Sequence, residues 1–340
     1  MQQETNPIDK SNMRQIILNG PKQFETGLSL AKQISFDRSF SSITISGMGG
    51  SSLPVDVLKI YVDDLLNKKD KNINHFSIFQ NRYYTLPPEA YENSLNVISS
   101  YSGNTEETIA SFDEALANNL PCIGISSGGK IEKICQEKKV PFIKLPEGIE
   151  PRMATGYFFG ALFQILINTG LIDDMTEEMI SAASQIEEKS QELEKRGEEI
   201  AKKIVSKIPV VYANIKYRSI AMIWKIKLNE NSKVPAFWNY FPELNHNEIN
   251  GFANTNGGFF ALMLKDDQDD KQNLKRYNAT EQIYKNKGID SEIIDLEGNS
   301  VLEKIFFSLH LGDWVSYYLA LANKQDPTPV NMVEEFKKLL

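Results

Sequence analysis

Residues 99–108 (SSYSGNTEET) gather four hydroxyl or amide side chains, Ser100, Ser102, Asn104 and Thr105, around Gly103. Glu106 and Glu107 follow, and acids favour the positive end of a helix dipole. Hydroxyls combined with the N–H groups of a first helical turn make an uncharged cradle for a phosphate. A helix cap needs one Ser or Thr, so four such groups at one turn point to a ligand.

A second turn, residues 47–52 (GMGGSS), places glycines between an expected strand and an expected helix. Glycine there lets the backbone approach an anion. It is not a dinucleotide fingerprint, because Ser52 stands where G-x-G-x-x-G needs glycine, and 75–81 (HFSIFQN) lacks the expected acid. It is not a Walker loop either, since no Gly-Lys-Ser/Thr follows. A third turn, 125–130 (ISSGGK), repeats the pattern.

These turns need rigid elements to hold them. Short apolar runs at 42–46, 75–80, 96–100, 121–126 and 141–145 read as strands. Helical patterns at 53–66, 106–118 and 130–138 alternate with them, which predicts βαβ units and a parallel sheet. In such sheets ligands sit at the carboxyl ends of strands, where all three turns fall. Residues 175–206, rich in Glu, Lys, Gln and Ser, predict one or two solvent-facing helices bridging the halves. The alternation restarts with strands at 208–213, 258–264 and 292–296 and helices at 218–230, 270–287 and 301–323. The pattern is that of a duplicated architecture.

Composition bounds the function. The 340 residues correspond to about two domains. Asp and Glu (45) outnumber Lys and Arg (37), and a net charge of −8 argues against a broad grip on nucleic acid. Residues 1–15 lack the apolar core of a signal peptide. The longest apolar stretch, 153–166, is interrupted by Thr155 and Gln164 and falls short of the ~20 residues of a membrane span. It predicts a buried helix, and the chain is expected in the cytoplasm with no membrane partner. Two cysteines, Cys122 and Cys135, give no disulfide framework, and three scattered histidines, His75, His246 and His310, do not suggest a His-rich metal site. No metal and no cofactor are expected. His75, His310, Trp224, Trp238 and Trp314 read as structural, and 266–270 (DDQDD) as a solvated turn without calcium-loop spacing.

The glycine turn followed by S-x-S-G-N-T resembles the sugar isomerase (SIS) domain family, which binds phosphosugars. Residues 151–157 (PRMATGY), 228–237 (LNENSKVPAF), 241–252 (FPELNHNEINGF) and 326–340 (DPTPVNMVEEFKKLL) narrow the match. Together they look like the bifunctional phosphoglucose/phosphomannose isomerases, over roughly residues 42–337. The resemblance implies an α/β fold of two SIS domains, each a parallel sheet flanked by helices in a flavodoxin-like three-layer sandwich. The expected division is 1–155, a helical connection at 156–206, and 207–340.

By the same resemblance Gly50 and Ser51 would meet the sugar, and Ser100, Ser102 and Thr105 would bind its phosphate. Arg152 would reach the carbonyl and hydroxyl oxygens. Glu230 would move the proton between C1 and C2. His246, from the partner subunit of a homodimer, would open the ring. A lysine of the last helix belongs to the site: Lys337 matches best, Lys338 is the alternative, and Thr328 is a weaker contact. The implied substrate is a hexose 6-phosphate.

The chemistry has use for each group. Aldose–ketose isomerisation abstracts a weakly acidic proton beside a carbonyl, which takes a carboxylate of tuned basicity. A guanidinium beside the enediolate oxygen stabilises it without metal. Ring opening needs a proton shuttle near neutral pH, for which histidine is suited. Two rivals remain. A non-catalytic phosphosugar sensor would keep the Ser/Thr turn but has no use for both Glu230 and His246. A SIS enzyme for another phosphosugar is the second; an amidotransferase among these would need an N-terminal cysteine where Gln2 stands.

Overall fold

Strands covered by helices are buried on both faces, and the central strands of the first sheet meet this with Ile, Leu and Val interleaved by small polar residues. The computed structural model describes residues 6–69, 73–254 and 257–339. Two units are present, Asn19–Ser184 and Met1–Leu18 with Gln185–Leu340. Helix α1 (Met13–Leu18) thus belongs to the second unit.

The first unit begins with α2 (Lys22–Ala31) and continues through β1 (Ser42–Ser46), α3 (Leu53–Asn67), β2 (Ser77–Asn81), β3 (Ser94–Ser99), α4 (Glu106–Ala117), β4 (Cys122–Ser126), α5 (Gly129–Lys138), β5 (Phe142–Lys144) and α6 (Thr155–Asn168). The sheet is parallel throughout, in the order β2-β1-β3-β4-β5. Every residue of β1 and β3 is buried. Ser46 lies opposite Asn81 on one side and Ile98 on the other, and Ser99 lies opposite Ile125. The carboxyl ends of four strands are therefore level, and the three expected ligand turns emerge side by side. The apolar run is α6, buried along most of its length and packed on α2. Among the described residues no helix is long and apolar enough to cross a membrane.

The border between the units falls inside α7 (Thr176–Glu188). Helix α8 (Ser190–Lys203) belongs to the second unit and turns most of its charged residues to solvent. Leu193, Gly197, Ile200 and Ala201 recur at helical spacing and are buried, so one face packs into the second unit. That unit continues with β6 (Ile208–Asn214), α9 (Arg218–Glu230), β7 (Phe237–Phe241), β8 (Phe259–Lys265), α10 (Lys271–Asn286), β9 (Asp290–Asp295), α11 (Val301–Ala322) and α12 (Asn331–Lys337). Its parallel sheet has the order β7-β6-β8-β9. The N-terminal segment joins it through specific bonds. Asp9 accepts from the Met13 and Arg14 N–H groups, and Arg14 pairs with Glu194 of α8 at 2.7 Å. The units therefore divide elsewhere than at the expected borders after 155 and 206.

The acidic run after β8 is not simply solvated. Asp266 is buried and accepts from the buried Lys304 ammonium at 2.6 Å. Burial pushes the Asp266 carboxyl up, but bonds from Lys304 and the Gln268 N–H outweigh it and hold the group below its ordinary range. His75 is exposed just before β2, and Trp238 is half-buried on β7. Trp224 and Trp314 are buried, and the Trp224 indole donates to the Ser308 carbonyl at 2.9 Å.

His310 packs inside α11 with its ring edge-on to Trp314. Burial first, then the nearby Lys227 charge, lower its pKa to about 3. An unfolded chain takes up this proton near pH 6.5, whereas the folded chain resists it. The neutral ring thus contributes stability above pH 6.5 that is lost as pH falls toward 3. Between pH 7.5 and 5, urea unfolding is expected to show about 2 kcal/mol more loss in the native protein than in His310→Gln; equal losses would contradict the assignment.

Candidate active site

The first three ligand turns are stapled to one another. Gly103 takes a left-handed φ of +65°, and a Cβ there would lie 1.8 Å from the Gly128 carbonyl oxygen. The third turn thus presses directly on the second. Tyr101 is the hub. Its N–H donates to Ser51 Oγ at 2.8 Å, and its carbonyl accepts from the Ser127 hydroxyl and N–H at 2.7 and 2.8 Å. Its phenol donates to the Pro146 carbonyl at 2.8 Å, which ties in the loop leading to Arg152. Asn104 bridges turns as well: Oδ1 accepts the Lys130 N–H at 3.1 Å while Nδ2 donates to the Ser102 carbonyl.

This stapling sorts the polar groups. Ser51 is buried with its hydroxyl on the Tyr101 N–H, and Asn104 holds α5 in place. Ser100 is fully buried, and its hydroxyl pairs with that of Thr105 at 2.8 Å. Thr105 holds the N-cap position of α4 with extended backbone, yet no side chain caps that helix. Its hydroxyl is turned to Ser100 instead. The first turn of α4 therefore presents N–H groups beside two hydroxyls, with exposed Ser102 at the rim.

Arg152 lies in a single helical turn, Pro151–Met153, and its side chain is only 2% exposed. One nitrogen contacts Glu150 Oε2 at 3.3 Å. A Cβ on Gly50 would lie 2.5 Å from the Arg152 backbone nitrogen, so glycine is required for this loop to reach the first turn. Gly50, Ser51, Ser100, Ser102, Thr105 and Arg152 are thereby assembled along one edge of the first unit. Two participants give little signal in the sequence. Tyr101 acts largely through its backbone. Arg82, just after β2, donates to Ser52 Oγ at 3.1 Å and pairs with Asp56, bracing the glycine turn. Burial raises the Asp56 carboxyl, with Arg82 opposing it.

In the second unit Glu230 is the last residue of α9 and is half-buried. Its neighbours bind that helix end down. Asn231 Nδ2 donates to Ser316 Oγ at 2.9 Å, and the Ser232 hydroxyl donates to the Ser316 carbonyl at 2.7 Å. One turn earlier, buried Lys227 pairs with Asp313. The Lys233 ammonium donates to the carbonyls of Glu230, Asn231 and Pro327, which brings the turn containing Thr328 to the same helix end. His246 closes the short turn Glu243–His246 and is exposed. Lys337 ends α12, which buries none of its residues, and pairs with Glu334 at 2.7 Å; Lys338 follows it. Glu230, His246 and Lys337 thus stand on three separate segments.

The second unit's own counterpart of the turn after β3 follows β8, which adjoins β6 as β3 adjoins β1. There Asp270 caps α10 by accepting the Gln272 N–H, and Asp266 is spent on Lys304. An acidic, internally paired turn repels phosphate. Among the described residues no group of three or more His, Cys, Asp or Glu is arranged to hold a metal ion. Burial pushes the Cys122 and Cys135 thiols up to about 11 and about 12, which suits neither nucleophile nor ligand.

The fold is shared with solved structures of low sequence identity. Glucosamine-6-phosphate deaminase from Thermotoga maritima superposes with a TM-score of 0.67 over 92% of this chain and 96% of its own, at 14% identity. Residues 193–340 match the model of the bacterial phospho-glucose isomerase C-terminal SIS domain. The bifunctional phosphoglucose/phosphomannose isomerase of Caldicellulosiruptor bescii is 34% identical, spanning 96% of this chain and 98% of the relative. Three further relatives at 32–34% identity carry the same name. The chain belongs to the bifunctional phosphoglucose/phosphomannose isomerase family. A D-glucosamine-6-phosphate 4-epimerase of Sulfolobus acidocaldarius is 30% identical over 75% of this chain and 78% of its own.

The turn geometry has a direct test. Gly103→Ala combines a left-handed backbone with a collision against the Gly128 carbonyl, and is expected to cost more than about 2 kcal/mol in urea unfolding. A loss below 0.5 kcal/mol, roughly that of a neutral surface change, would mean that the turns are not pressed together.

Proposed function

We propose that the protein interconverts glucose 6-phosphate and mannose 6-phosphate with fructose 6-phosphate, by proton transfer and without metal or cofactor. The observation that carries this is the diversion of Thr105 from helix cap to Ser100 partner, in a chain of this family. It leaves an uncharged, preformed seat for a phosphate, bounded by Ser100, Ser102 and Thr105.

In this reading His246 passes a proton between the ring oxygen and the C1 hydroxyl, opening the sugar. Glu230 then removes the proton at C2 of the aldose, and the electron pair forms the C1=C2 bond of an enediol as the C1 oxygen is protonated. The Arg152 guanidinium stabilises the negative oxygen, with Lys337 adding positive charge. Loss of the proton on the C2 oxygen and return of the first proton to C1 gives the ketose. Mannose 6-phosphate differs at C2 alone, and rotation of the intermediate about C2–C3 presents either face to the same base. The working form is a cytoplasmic homodimer in which each subunit lends His246 to its partner. The 4-epimerase relative supports a second reading, chemistry at C4 of an amino sugar phosphate.

Purified protein assayed on both hexose 6-phosphates is expected to keep its activity in EDTA. Glu230→Gln is expected to lower kcat about 10²- to 10⁴-fold, the range for loss of a general base. Thr105→Val is expected to raise KM about 10- to 100-fold, the loss of one bond to a charged group. Inactivation by EDTA, or full turnover in Glu230→Gln, would remove the mechanism. Turnover of D-glucosamine 6-phosphate at C4 with none of the hexose 6-phosphates would favour the epimerase.

A further inference from the structure

The segment bearing His246 is held from both sides. On one side Leu244 is fully buried, and the Asn245 amide donates to Thr280 Oγ1 of α10 at 2.9 Å. On the other, Glu248 turns inward. Its Oε1 accepts the Tyr212 hydroxyl of β6 at 2.6 Å, and its Oε2 accepts the Asn239 amide of β7 at 2.5 Å. Ile249 and Phe252 pack beside it on the core around Tyr212, Phe241 and Tyr284. Between these anchors His246 and Asn247 face outward, both exposed.

The anchor is chemically specific. Asn239 Oδ1 accepts the Tyr240 N–H at 2.8 Å, so the amide presents its donor face to Glu248. Burial, with Tyr284 and Glu248 close by, raises the Tyr212 phenol above its ordinary range, which keeps it a donor. Tyr212 is itself hydrogen-bonded to the Tyr284 hydroxyl at 3.1 Å. Both carboxylate oxygens of Glu248 are thus committed to donors from adjacent strands, which leaves the group suited to anchoring rather than to proton transfer. A glutamine would set an amide nitrogen against one of the two donors.

We propose that Glu248, clamped by Tyr212 and Asn239, is the positioning residue that fixes the His246 turn for ring opening. The proposal rests on the role given to His246 above. The test uses the full-length protein with Glu248→Gln, Tyr212→Phe, His246→Ala and the Glu248→Gln/His246→Ala pair. Kinetics on glucose 6-phosphate are read alongside the imidazole resonances of the three histidines. Glu248→Gln is expected to lower kcat by on the order of 10- to 100-fold with KM within about threefold, the scale for a misplaced catalytic group. The His246 resonance should move while that of buried His310 stays, which shows that the fold is intact. In the His246→Ala background Glu248→Gln should add little, because the two act as one unit. Tyr212→Phe should reproduce a smaller version of the same pattern. An unmoved His246 resonance, or a full additional loss in the His246→Ala background, would overturn the proposal. Full activity of His246→Ala would instead remove the ring-opening role, while the resonances still decide whether Glu248 positions the turn.

Discussion

The structure of the turn after β3 depends on one contact, the seating of Gly103 against the Gly128 carbonyl. It forces a left-handed backbone at Gly103 and locks the turns after β3 and β4 together. Tyr101 then extends the lock to Ser51 and to the loop before Arg152. These bonds use backbone groups and buried hydroxyls, so the turns are held by one another. Turns held in this way spend little binding energy on ordering themselves.

The second unit solves a different problem, holding a carboxylate at the end of a helix. Helix ends leave carbonyls unpaired, and here the Lys233 ammonium takes two of them together with the Pro327 carbonyl. Asn231 and Ser232 add bonds to Ser316 of α11. Glu230 is therefore carried by a braced helix end rather than a loose one. The two units share a sheet plan but not a turn chemistry: hydroxyls line the turn after β3, and a buried ion pair closes the turn after β8.

Much of this was legible in the sequence, for physical reasons. β1, β4 and β6 are short runs rich in Ile and Val that end at serine or asparagine, and α9 spans 218–230 as its spacing predicts. β7 was not legible, because it is an edge strand whose five residues show no clean alternation and whose Phe237 is exposed. The residue types of the phosphate turn stood out, but not their division of labour. Nothing in the string SSYSGNT distinguishes the hydroxyl that pairs with Thr105 from the amide that caps α5. Asp266 looked solvated because its partner, Lys304, lies 38 positions further on. The N-terminal segment looked like part of the first lobe because its anchor, Glu194, lies 180 positions beyond Arg14.

The most direct measurement is a crystal structure of the protein with a bound hexose 6-phosphate. The account predicts phosphoryl oxygens on the Ser100 and Thr105 hydroxyls and the α4 N–H groups, with a Glu230 carboxylate against C1 and C2. A phosphate seated elsewhere, or a sugar with no Glu230 near those carbons, would contradict it.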